Sequence, residues 1–60
     1  MKIQYPWRET PVGGWFFVPS LKPEETRTEG LLAAMHLRME GSGDVGVLDG
    51  RLGVVFRRLY

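Results

Sequence analysis

The sequence contains no cysteine. That removes disulfide staples, thiolate catalysis and cysteine-type zinc sites together. Small secreted domains usually need such staples, so an intracellular setting is expected. There is one histidine, His36. An imidazole metal site lacks its second ligand, and a general base lacks a visible orienting partner. A solvated position on a helix face is the expected place for it. Excess charge of one sign is also missing, with a net charge of +1. Lys2, Arg8, Lys22 and Arg27 stand against Glu9, Glu24, Glu25 and Glu29 in one half of the chain. Arg38, Arg51, Arg57 and Arg58 stand against Glu40, Asp44 and Asp49 in the other. A dedicated nucleic-acid binder usually carries a larger basic excess. No apolar run approaches a membrane span, and Lys2 is not followed by the apolar stretch of a secretory leader. Sixty residues allow one domain at most, and a domain of that size buries only ~60% of its unfolded surface.

The strongest local signal lies between Asp44 and Tyr60. Two β-branched runs flank Asp49-Gly50, the preferred pair for a type I′ turn with φ > 0 at both central residues. A two-residue loop sets Leu48 opposite Arg51, Val47 opposite Leu52 and Val45 opposite Val54. One face then collects Val45, Val47, Leu52, Val54 and Phe56. The other collects Gly46, Leu48, Arg51, Gly53, Val55, Arg57 and Leu59.

Upstream, Tyr5-Pro6-Trp7 reads as an extended arm pinned by its aromatics, since Pro6 restricts Tyr5. Pro11 to Gly14 is turn-like. Trp15 to Val18 is a strand stopped by Pro19. Both of its faces are apolar, Phe16 and Val18 on one and Trp15 and Phe17 on the other, so something is expected to cover the second face. Thr26-Arg27-Thr28-Glu29 fits a capping box that opens a helix, with Pro23 as an alternative start and Gly41 as the stop. Leu31, Leu32, Met35 and Met39 form one apolar stripe, expected to pack on the sheet. Gly30, Ala33, Ala34 and Leu37 form a nearly opposite one. Gly41-Ser42-Gly43 reads as a short link.

The predicted fold is α+β in the order β-α-β-β, with an arm over 1–11 and one domain over 12–60. Strands are placed at 14–19, 44–48 and 51–59 and a helix at 27–40, the helix crossing a three-stranded, mostly antiparallel sheet. The expected core comprises Phe16 and Val18, the helix stripe, and the Val45-to-Phe56 hairpin face.

No motif carries catalysis. Gly41 to Gly46 spells G-x-G-x-x-G, but dinucleotide binding needs a strand before it and a helix after it. Here the order is reversed. Each carboxylate has a local role as cap, first-turn charge or turn residue. No enzyme activity, metal, cofactor, membrane or small-molecule substrate is expected. The surplus apolar surface points instead to a macromolecular partner held by Trp15, Phe17, Val55, Arg57 and Leu59. That partner is another protein or a second copy, since exposed apolar patches mark interaction sites. The alternative is a nucleic-acid binder or small transcription regulator using Arg27, Arg38, Arg51, Arg57 and Arg58, with aromatics stacking on bases.

Taken together, Tyr5-Pro6-Trp7, the box Val12-Gly13-Gly14-Trp15-Phe16-Phe17-Val18-Pro19, the Ala33-Ala34 helix and Gly53-Val54-Val55-Phe56-Arg57-Arg58 resemble a group of small uncharacterised tailed-bacteriophage proteins. The resemblance spans most of the chain. It implies an accessory protein working in the cytoplasm of the infected bacterium, often by engaging a host macromolecule. Members tend to carry a basic helix, which implies a nucleic-acid role. The resemblance implies no catalytic residues.

Overall fold

A computed structural model describes residues 5–60. The start of the arm, with Lys2, lies outside the described residues. Strand β1 runs Trp15–Pro19, helix α1 Pro23–His36, strand β2 Gly41–Leu48 and strand β3 Arg51–Arg58. The sheet is antiparallel, in the order β1-β3-β2. The fold is therefore the small α+β domain expected.

The hairpin forms as its turn chemistry dictates. Asp49 (φ 51°) and Gly50 (φ 75°) are both left-handed, and Leu48 faces Arg51. The register carries through Val45 opposite Val54 to Gly41 opposite Arg58. Gly41 to Gly43 thus belong to β2 and are not a link. β1 adds on the far side of β3, with Phe16 facing Phe56 and Val18 facing Val54.

The helix corrects the expected bounds of 27–40 at both ends. It starts at Pro23, whose missing N–H and fixed φ suit a first turn that also holds Glu24 and Glu25. Thr26 is no N-cap. It is buried in the first turn, where its hydroxyl donates to Ser20 Oγ at 2.7 Å. The helix stops at His36, four residues before Glu40, because Arg38 turns left-handed at φ 59°. The Met39 N–H returns to the Ala34 carbonyl and the Arg38 N–H to the Met35 carbonyl, both at 2.9 Å. These are the bonds of a Schellman stop, with arginine where glycine is usual.

The core also differs from expectation. The helix turns its small stripe, not its large one, to the sheet. Gly30 and Ala34 are buried, while Leu32 and Met35 are exposed, Met35 at 68%. The cause is the bulk already on the sheet. The Phe56 ring fills the place where a Gly30 side chain would stand. Trp7 is fully buried, stacks edge-on against Phe16 and Phe56, and donates its indole N–H to the Gly30 carbonyl at 2.8 Å. Its ring also occupies the space beside Gly41. With two large aromatics between the layers, only a small-residue stripe lets the helix approach. Leu31 and Met39 from the large stripe still pack at the margin of the core. Val45, Val47 and Leu52 were expected inside but stay exposed, because the core they flank ends at Val18 and Val54 and does not reach the hairpin tip.

Candidate interaction surface on the outer sheet face

Strand alternation sends Trp15, Phe17, Val55 and Arg57 to the face opposite α1. The register ranks them in rows. Trp15, Arg57 and Ser42 form one row, then Phe17, Val55 and Asp44, then Pro19, Gly53 and Gly46. Leu48 and Arg51 close the face at the hairpin tip. No described helix or strand lies over it, since α1 and the arm's Trp7 pack on the other side.

The two glycines of the third row differ. A side chain at Gly53 would meet the Phe17 ring tip at 2.7 Å and the Val18 carbonyl. Phe17 therefore lies down across β3 and is half-buried without any element above it. A side chain at Gly46 would meet nothing within 4 Å. The result is a shallow trough over Gly46, walled by Asp44 and Leu48 along β2 and by Val55 and the Phe17 ring across it. Trp15 stands at the rim, 54% exposed. Strand parity carries Leu59 onto the same face just past β3, where its N–H donates to the Glu40 carbonyl at 2.8 Å and its side chain is half exposed. The structure therefore brings the five expected partner-binding residues to one face. Asp44, Gly46 and Leu48 complete that face, and the sequence reading left them out of the site. The hairpin register read from Asp49-Gly50 already set Gly46 and Leu48 on this face, and the same alternation carries Asp44 onto it.

The arginines do not gather. Arg51 and Arg57 share the outer face, at its tip and near its base. Arg27 lies on the helix side, its stem over Gly43. Arg38 is at the helix stop. Arg58 points to the helix side and holds the arm. Its Nη1 donates to the Thr10 carbonyl at 2.9 Å, and its Nε to the Tyr60 carbonyl at 3.2 Å.

Among the described residues no group of three His, Cys, Asp or Glu side chains is placed to hold a metal ion. None of the described helices is long and apolar enough to cross a membrane. Tyr5 has a raised phenol pKa, from burial first and from the nearby Glu29 carboxylate second. Its hydroxyl donates to the Thr26 carbonyl across a long 3.4 Å, which is a structural tie between arm and helix. No protein-family model, curated protein or solved structure matches the chain.

Proposed function

We propose that the chain is a small non-enzymatic accessory protein of the tailed-phage kind. It acts in the cytoplasm of the infected bacterium by docking its outer sheet face on a host protein, which it inhibits or modulates. The observation that carries this reading is the uncovered face itself. Trp15, Phe17, Val55 and Leu48 surround an open trough on a face that also carries two cations, Arg51 and Arg57, and one anion, Asp44. Aromatic anchors with a nearby arginine are the composition of protein-binding hot spots. Asp44 in the middle of the patch would repel phosphates. Three of the five candidate arginines also lie off this face, which gives the nucleic-acid reading less support. The phage setting rests on the resemblance of the Val12-to-Pro19 box and the Tyr5-Pro6-Trp7 arm.

Affinity capture from bacterial lysate tests it, with the wild type beside Trp15→Glu and Gly46→Thr. The two variants alter the face without touching the core. The expected result is a protein partner that survives nuclease and about 0.5 M salt, where phosphate contacts have weakened steeply. Both variants should lose it while melting no earlier than the wild type. A bound fraction that disappears with nuclease or salt, and with Arg57→Gln, would favour the nucleic-acid reading instead.

A further inference from the structure

The two edges of the sheet are guarded unequally. On β3, the backbone groups of Leu52 and Arg58 bond toward β1, as shown by Ser20 N–H to the Leu52 carbonyl and Arg58 N–H to the Gly14 carbonyl. Alternation gives the odd residues of β3 to β2, in agreement with Leu59 N–H donating to the Glu40 carbonyl. It follows that β1 shows its free edge through Trp15, Phe17 and Pro19. Pro19 has no N–H, so this edge is short and ends in a breaker. Among the described residues no strand pairs with the outer edge of β2, which is shown by Gly41, Gly43, Val45 and Val47. It carries no proline and no lysine. The side chains beside it, Val45 (41% exposed) and Val47 (67%), are apolar and uncovered. An eight-residue strand edge without a breaker, flanked by exposed valines, is a template for another strand.

We infer that β2 pairs antiparallel with β2 of a second copy across a two-fold axis at Val45. This is a surface distinct from the outer face. The sequence of β2 is self-complementary in that register. Gly43 and Val47 face each other from opposite copies, and three of the four free-edge residues, Gly43, Val45 and Val47, meet partners that also present free backbone groups. Two hydrogen bonds per such pair give about six across the seam. Asp44, the one charge in β2, falls opposite Gly46. Shifting the axis one residue to Asp44 would set two carboxylates face to face, which is destabilising. A perpendicular two-fold keeps both helices on the same side of the joined six-stranded sheet. Arg27 leans from the helix over Gly43, beside this edge. Val45 and Val47, apolar side chains that the monomer leaves uncovered there, line the floor of the join. The closed pair also removes the exposed edge, which an open chain of strands would not.

The test uses the full chain. Sedimentation of the pure protein should give twice the 6.9 kDa chain mass. Val45→Lys, which sets two ammonium groups opposite each other, should raise the dissociation constant at least about tenfold. Because the chain has no cysteine, Val45→Cys supplies a lone thiol that reports the register. Under mild oxidation it should form a covalent dimer well before Trp15→Cys does. A monomer at high concentration would overturn the inference and leave this edge to a strand of some other protein. A dimer that cross-links through Trp15→Cys but not Val45→Cys would also overturn it, by placing the contact on the outer face.

Discussion

The two faces of the sheet are built from the same materials, aromatic side chains and glycines, and among the described residues only one of them is closed. On the helix side, Phe56 fills the space at Gly30 and Trp7 fills the space at Gly41. On the outer side, Phe17 fills the space at Gly53, but the space at Gly46 stays empty. Glycine here is a packing residue wherever an aromatic ring takes its missing side chain, and a trough where none does. The difference explains how so short a chain holds together. Two large rings, Trp7 and Phe56, span both layers, and small residues around them let the layers meet. The helix contributes mainly close backbone approach, and its bulky Leu32 and Met35 remain outside.

The comparison breaks most completely at Trp7. Trp7→Ala removes the largest fully buried side chain and its hydrogen bond to Gly30, a change that costs ~3–5 kcal/mol in other cores. A domain of this length has roughly 3–9 kcal/mol in total, so circular dichroism should show a largely unfolded chain at 37 °C. Gly30→Ala comes next. Helix propensity alone would favour alanine by about 1 kcal/mol. The Phe56 ring stands in the way, so a net loss of about 1–3 kcal/mol is expected from overpacking, read as a lower urea midpoint. Gly46→Thr reverses the sign. With open space around it and strand geometry, it should stabilise by up to about 1 kcal/mol, raising the melting temperature. Met35→Ala sharpens the contrast within the helix. It should change stability by no more than about 0.5 kcal/mol, as exposed substitutions do.

A smaller effect lies in the pH profile. The folded Tyr5 phenol is raised by burial and by Glu29, so the folded state binds that proton more tightly than the unfolded one. Its contribution to stability is complete below the ordinary tyrosine range near pH 10 and is lost as pH rises through the folded value. Tyr5→Phe should therefore flatten the alkaline limb of a chemical-denaturation series. An unchanged limb would detach Tyr5 from the helix.

The hairpin was legible in the sequence because turn chemistry is local. Asp49-Gly50 fixes the register, and the register fixes which residues share a face. That is why Trp15, Phe17, Val55 and Arg57 could be grouped from alternation alone. The helix was harder to read. Its two apolar stripes both satisfy helical periodicity, and size favoured Leu32 and Met35. The choice was made by Trp7, which lies some twenty residues away in the chain and whose burial no periodicity in a proline-containing arm reveals. The same blindness extended β2 too little at its start. Gly41-Ser42-Gly43 has the composition of a link, and it becomes strand only because Trp7 and Phe56 need glycine beneath them. Arg38 at the left-handed helix stop has no signal in its residue type.

The orientation of the helix is the point on which all of this depends, and proton NMR of the wild type reads it directly. Packed under the Phe56 ring, the Gly30 Hα protons should show strong cross-relaxation to the Phe56 ring protons and pronounced ring-current shifts, with the Leu32 and Met35 methyls free of contacts to Phe56 and Val54. Cross-peaks from Leu32 and Met35 to Phe56 and Val54, with Gly30 at ordinary shifts, would mean that the large stripe faces the sheet and would contradict the packing described for both faces.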